Sequence, residues 1–161
     1  TERTAGAGAR VQVKLVDTTP MSIRFGFRIK KPEIPGFNGT NVVVCEISSA
    51  GHYVGLFAAP NPVDSNKFNL QLNYDGEGTP VEVGTGSVPF DTTFMVVIEV
   101  AFGETGAVRL VTPGDGVTPK IVRFKSSGVP VLALGLGRLN GGTAEIAAAY
   151  DDLHVTKIGA F

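Results

Sequence analysis

Strict alternation marks the stretch Lys67-Phe68-Asn69-Leu70-Gln71-Leu72-Asn73-Tyr74-Asp75. Apolar or aromatic side chains occupy every second position, and amides occupy three of the positions between them. Because successive side chains of a β-strand point to opposite faces of a sheet, this pattern predicts a strand with one buried face and one solvated face. The amides of Asn69, Gln71 and Asn73 would then form a polar row on the solvated face.

Similar alternation, interrupted by turn residues, recurs along the whole chain. The chain has 21 Gly and 10 Pro in 161 residues, and 43% of its residues are hydrophobic. No helical period of useful length is present, so the pattern predicts an all-β sandwich, jelly roll or barrel. Predicted strands lie at 10–15, 22–30, 41–48, 52–59, 67–75, 80–84, 93–102, 108–111, 120–125, 131–137 and 144–158, with 84–87 as a loop. We expect residues 1–9 to be a flexible leader and residues 10–161 to form a single domain.

Charge and cysteine content exclude several classes of function. Fourteen basic residues face 15 acidic ones, for a formal net charge of -1, which argues against nucleic acid and other polyanions as partners. No apolar run is long enough to insert in a membrane. The lone Cys45 is expected to be a small core side chain rather than a nucleophile. Asn38-Gly39-Thr40 fits either a glycosylation sequon or a simple turn.

The final predicted strand, residues 144–158, places two adjacent acids inside an apolar run. If Leu153 and Val155 point into the core, the two-residue period sends Asp151 to the same face. An inward carboxylate is costly unless it is hydrogen-bonded or binds a cation. Asp151 is therefore expected either to accept backbone N–H bonds where the chain ends meet or to bind a metal ion.

The order of segments resembles the laminin-G-like branch of the concanavalin-A-like lectin and glucanase superfamily. The resemblance is carried by residues 22–30, 68–72, 93–100, 106–110 and 132–135, and by Tyr150-Asp151-Asp152-Leu153-His154-Val155 near the end. It implies an antiparallel two-sheet jelly-roll sandwich whose concave sheet binds the ligand, and an extracellular or cell-surface location. It also implies a structural Ca²⁺ held partly by Asp151, which would need further oxygens from Asp17, Asp152 or carbonyl groups.

Catalytic patterns of the superfamily are incomplete in this sequence. The glucanases place carboxylates as Glu-x-Asp-x-x-Glu, and the corresponding stretch from Glu99 to Glu104 has Ala101 at the middle position. Alginate-lyase-like jelly rolls would need an Arg/Glu/Arg strand with Gln and His partners, and His52 and His154 are both expected to be solvent-facing strand residues. On these grounds the sequence predicts that the chain is not an enzyme.

The amide row suggests a carbohydrate-binding surface, because planar amides and charged groups take paired hydrogen bonds from sugar hydroxyls and an aromatic ring stacks on the sugar. Arg24 and Arg28 would join the row if their strand shares its sheet, and Tyr53 would supply an aromatic ring. The sequence thus predicts a noncatalytic, lectin-like module for a glycan. Three alternatives stay open: an ordinary wet sheet face, a self-assembling surface or virion protein that forms homo-oligomers, and a polysaccharide hydrolase or lyase with a non-standard site.

Overall fold

A computed structural model describes residues 10–15, 19–31, 41–76, 79–111, 117–135, 139–140 and 147–161. The predicted leader and the segments that contain Asp17 and Asn38 lie outside these ranges. The described strands are β1 (Arg10–Lys14), β2 (Met21–Ile29), β3 (Asn41–Ser49), β4 (His52–Pro60), β5 (Lys67–Gly76), β6 (Thr79–Pro89), β7 (Phe94–Ala101), β8 (Ala107–Leu110), β9 (Lys120–Arg123), β10 (Val131–Gly135), β11 (Leu139–Asn140) and β12 (Ala148–Lys157).

The strands form two antiparallel sheets, which confirms the predicted all-β jelly-roll sandwich. The large sheet has the order β1-β10-β3-β4-β5-β6, with β11 paired to β3. The small sheet has the order β12-β2-β7-β8-β9. Neighbours that are distant in sequence, such as β2 with β7 and β3 with β10, are typical of jelly-roll connections rather than of simple hairpins.

The core lies between the sheets and is filled by the inward side chains of alternating strands. Phe27 of β2 is 1% exposed and packs against Phe68 of β5 and Phe94 of β7, with ring centroids 5.9 and 6.0 Å apart. Rings at these separations add specific edge and tilted contacts to the burial of their area. Cys45 is a buried core residue, as predicted.

The prediction of a short strand at 80–84 followed by a loop is wrong, because β6 continues to Pro89. Leu70 pairs with Gly86 and Gln71 with Gly84, so Thr85 is an extra residue in the ladder. Its hydroxyl donates to the carbonyl of Leu70 at 2.8 Å and is buried. The two glycines therefore accommodate a β-bulge instead of ending the strand.

The expectation that Leu153 and Val155 are buried in the core is also wrong, although Val155 pairs with the inward Ile23 and shares its face of the sheet. The side chains of Leu153 and Val155 are each 40% exposed, on a strand that lies at the edge of the small sheet. The register of β12 against β2 shifts between Asp151 and His154, and Asp152 adopts φ 52°. This irregularity breaks the two-residue period, and Asp151 is exposed rather than inward.

Tyr150 ties β12 to the opposite sheet. Its hydroxyl donates to the Val44 carbonyl at 3.0 Å, and its ring lies 6.2 Å from that of Phe25. Burial raises the pKa of Tyr150 well above its ordinary value. The neutral phenol therefore joins the two sheets at the edge of the core.

We expect Tyr150→Phe to lower the free energy of unfolding by about 1 kcal/mol at neutral pH, because the Val44 carbonyl loses its donor. Since the pKa of Tyr150 is raised on folding, the stability it contributes is complete below about pH 10 and falls as the unfolded chain ionises above that value. The difference between the two proteins should therefore shrink in alkali. Urea denaturation from neutral pH upward measures it, and a difference that stays constant would contradict the assignment.

Candidate functional site

The outer face of the large sheet carries the predicted amide row. Asn69, Gln71 and Asn73 alternate with buried core residues of β5 and are all half-buried, as the two-residue period requires. Gln71 pairs with Phe57 on one side and with Gly84 on the other. We call the outer face formed by β3 to β6 the amide face.

Four polar side chains converge at one end of the amide face. The hydroxyl of Tyr53 donates to Asn73 Oδ1 at 3.1 Å, and His52 Nδ1 lies 2.8 Å from Asp75 Oδ2. The His52 and Asp75 side chains are 28% and 14% exposed, so the pair is shielded but open to a ligand. We call His52, Tyr53, Asn73 and Asp75 the His52 site.

A tight turn between β3 and β4 fixes the position of His52. Ala50 and Gly51 both have positive φ, 45° and 89°, and Ser49 pairs with His52 across the turn. Two consecutive residues with positive φ are typical of the type I′ turn, whose twist matches that of the flanking strands. His52 is therefore the first residue of β4 and lies on a rigid hairpin rather than in a long loop.

A second polar cluster lies at the other end of the same row. Asn61 Nδ2 donates to Asn69 Oδ1 at 2.9 Å and to Ser87 Oγ at 3.1 Å, and the Ser87 hydroxyl donates to Asn69 Oδ1 at 3.0 Å. Asn69 and Asn73 are four residues apart, or about 13 to 14 Å along a strand. The amide face thus presents two polar clusters with Gln71 between them.

The middle of this outer face is apolar and buried. Val43, Phe57 and Ala59, and Ala133 on the neighbouring β10, are each no more than 7% exposed, although they do not belong to the core between the sheets. The ring of Phe57 covers Gly55, where an added Cβ would lie only 2.6 Å from it. Phe57 is therefore a packing residue, and Tyr53 is the aromatic side chain that touches the amide row.

The proposed contribution of Arg24 and Arg28 to this surface is wrong. Both residues are on β2, which belongs to the small sheet, and their exposed side chains alternate with buried core residues. They consequently point away from the core on the opposite side of the sandwich from Gln71. The order of strands in the sheets, which the alternation alone does not specify, decides this.

Among the described residues, the structure brings no set of metal ligands together at Asp151, where the resemblance predicts a Ca²⁺ site. Asp151 is exposed on β12, and its Oδ1 accepts the N–H of Asp152 at 2.9 Å. Within the described ranges no three His, Cys, Asp or Glu side chains converge as a metal site would require. Calcium binding by Asp151 therefore stays a prediction from the resemblance.

His52 and Asp75 are the functional candidates that the sequence pattern does not identify. Alternation alone gives His52 the parity of the inward residues of β4, and 23 residues separate it from Asp75. They meet because β4 and β5 pair with Val54 opposite Tyr74, which brings the start of one strand beside the end of the other. The hairpin geometry, and not a motif, creates the pair.

No protein-family model and no curated protein matches the chain, but solved structures do. An alginate lyase from Alteromonas sp. 272 superposes with a TM-score of 0.62 at 10% identity, over 89% of this chain and 74% of the lyase. An endo-β-1,4-glucuronan lyase from Trichoderma reesei gives 0.57 at 12% identity, over 98% and 78%. A legume lectin-like domain from Entamoeba histolytica gives 0.59 at 14%, over 98% and 82%.

The fold is a concanavalin-A-like jelly roll. The similar structures are mainly polysaccharide lyases, together with the lectin-like domain, so the fold is one that carbohydrate-active proteins use. These comparisons contradict the prediction that the chain is not an enzyme, because several of the structural neighbours are enzymes. The laminin-G-like branch stays a prediction. Within the described residues no helix is long and apolar enough to cross a membrane.

Proposed function

We propose that this chain is a polysaccharide lyase that cleaves a polymer of uronic acids by β-elimination at the His52 site, acting on an extracellular glycan. One observation carries the proposal. The imidazole of His52 is held by Asp75 next to a tyrosine and an amide, on the outer face of a jelly roll whose structural neighbours include alginate and glucuronan lyases.

The reaction requires a base for a carbon acid. A general base removes the proton from C5, which is adjacent to the uronate carboxylate; the C4–O4 bond then breaks, and a C4=C5 double bond forms on the new non-reducing end. When the Nδ1–H of His52 donates to Asp75, the lone pair of Nε2 is available to accept the C5 proton. Asp75 fixes this tautomer and stabilises the imidazolium that follows.

The two other members of the site supply the remaining functions. Because Asn73 Oδ1 accepts the Tyr53 hydroxyl, the amide nitrogen of Asn73 is left to donate to the substrate carboxylate and to the negative charge that develops on it. When it turns from Asn73 Oδ1, the Tyr53 hydroxyl is the proton donor for the departing O4. The amide of Gln71 is two positions along the same row and binds the neighbouring sugar.

The activity is tested with purified chain and a panel of polymers that contains alginate, polyglucuronate, polygalacturonate and neutral mannan. We expect one of the polyuronates to yield products with ultraviolet-absorbing unsaturated ends and a falling chain length. Mannan should be unchanged because it has no carboxylate next to C5. If no polyuronate acquires unsaturated ends at high enzyme concentration, this function is wrong.

A further inference from the structure

The amide face offers little unpaired positive charge to attract an anionic polymer. Its charged side chains include the acids Glu46 and Asp75 and the base Lys67, and the ammonium of Lys67 lies 3.5 Å from Asp64 Oδ2. Positive charge is instead found on the outer face of the small sheet, where four arginines point away from the core: Arg24, Arg28, Arg109 and Arg123. The charge of the described strands is therefore unequally divided between the two outer faces.

Three of these arginines, Arg24, Arg28 and Arg123, form no ion pair within the described residues, and Arg24 and Arg28 lie together on β2. Arg109 donates from Nε to Glu99 Oε2 at 2.6 Å and stacks on the Phe161 ring, so it is already engaged. Arg24 and Arg28 are exposed, and within the described residues neither forms an ion pair. The Nε of Arg24 donates only to Met95 Sδ at 3.4 Å, and a thioether is a weak acceptor.

The surface between the two arginines is a shallow notch. Gly26 separates them on β2, with Met95 opposite it on β7 and Asp151 opposite it on β12. A Cβ on Gly26 would lie 3.4 Å from the Thr93 methyl and 3.8 Å from Asp151 Cβ, which are ordinary contact distances. Because Gly26 has no side chain, a small depression lies between these two residues. Arg24 and Arg28, four residues apart, lie about 13 to 14 Å from each other along the strand.

We propose that this notch, formed by Arg24, Gly26, Arg28 and Met95, is a second, noncatalytic binding site for a carboxylated polysaccharide. The proposal rests on the proposed function for the class of ligand. Guanidinium groups take carboxylates in paired hydrogen bonds, and a floor of thioether and methyl groups suits the apolar side of a sugar ring. A polymer held here keeps the enzyme on its substrate while the opposite face cleaves another segment.

Two residues of β12, His154 and Asp151, change the hydrogen-bonding groups and the charge around this site. His154 pairs with Arg24 across the two strands and is exposed, so it adds a further donor. Asp151 pairs with Gly26 and brings a carboxylate beside the notch, where it opposes the charge of an anionic ligand. Asp151→Asn retains the oxygen that accepts the Asp152 N–H and removes the charge, so this variant should bind the polymer more tightly.

Binding is measured by affinity electrophoresis through gels that contain alginate, at low ionic strength. All proteins carry His52→Asn, so that the polymer is not cleaved during the run. We expect Arg24→Gln/Arg28→Gln to weaken binding at least tenfold, Arg24→Lys/Arg28→Lys to weaken it less, and Asp151→Asn to strengthen it. The matched control is Lys14→Gln/Lys125→Gln, which removes the same charge from exposed positions outside β2 and should leave binding within twofold.

Equal losses of binding in Arg24→Gln/Arg28→Gln and in the lysine-to-glutamine control would mean that net charge alone explains the effect, and would overturn the site. Unchanged binding in Arg24→Gln/Arg28→Gln would overturn it as well.

A second measurement uses the active enzyme. With His52 present, Arg24→Gln/Arg28→Gln should raise KM for the polymer and leave the cleavage of short oligouronates unchanged. If the chain binds alginate through the arginines but cleaves no polyuronate, the proposed function fails and the binding site stands. If the chain cleaves a polyuronate and Arg24→Gln/Arg28→Gln binds alginate normally, the proposed function stands and the second binding site fails.

Discussion

His52→Asn is expected to lower kcat for polyuronate cleavage by at least about 100-fold, the smallest contribution usual for a positioned general base. Asparagine is shorter than histidine and can still donate an amide hydrogen toward Asp75, so the hairpin should keep its fold. It has no group that can take the C5 proton at neutral pH. Initial rates of unsaturated-end formation measure the loss, and a thermal melt confirms that the variant is folded.

The matched control is His154→Asn, since that histidine is exposed on the edge strand of the small sheet. Its rate on short substrates should stay within twofold of the original. Asp75→Asn separates positioning from proton transfer: it should lower kcat less than His52→Asn, because Nε2 can still accept the C5 proton while the imidazole loses the carboxylate that orients it. Equal rates for His52→Asn and the unmodified chain would remove His52 from the chemistry.

Period-two alternation predicts which side chains share a face of one strand, and it succeeds at Asn69, Gln71 and Asn73. It does not say which strands become neighbours. Arg24 and Arg28 alternate as clearly as the amides do, yet β2 pairs with β7 and β12 and not with β5. Strand order is set by the packing of the whole sandwich, so it could not be deduced from local pattern.

Irregularities in strand pairing are a second reason why alternation mispredicts the face on which a residue lies. The bulge at Thr85 and the register shift after Asp151 each change which face the following residues occupy. At Asp151 this turned an expected inward carboxylate into an exposed one. The contact between His52 and Asp75 was not predicted because it forms where β4 begins and β5 ends. The parity of β4 groups His52 with the inward residues, yet its Nδ1 lies 2.8 Å from the side chain of Asp75, which has the outward parity of β5.

Gly106→Ala is expected to lower the free energy of unfolding by more than about 3 kcal/mol, at the upper end of single substitutions. An added Cβ would overlap the carbonyl oxygen of Ala101, and it would lie 2.5 Å from that of Phe124 and 3.1 Å from that of Gly103. These are backbone atoms, so no rotamer change relieves the clash. The Gly106 N–H and carbonyl also bond Gly103 and Phe124 at 3.1 and 3.0 Å, which ties the residue in place.

Gly84→Ala is the control that isolates this effect from the general cost of replacing glycine. A Cβ on Gly84 would have no atom within 4 Å, and the residue lies in β6, where alanine fits the extended backbone. Its stability should stay within about 1 kcal/mol of the original, because the smaller conformational freedom of the unfolded chain even favours folding. Urea denaturation of both variants tests the contrast. A small loss at Gly106 would mean that β8 and the segment around Phe124 can separate, and that the end of the small sheet is less tightly packed than its backbone contacts indicate.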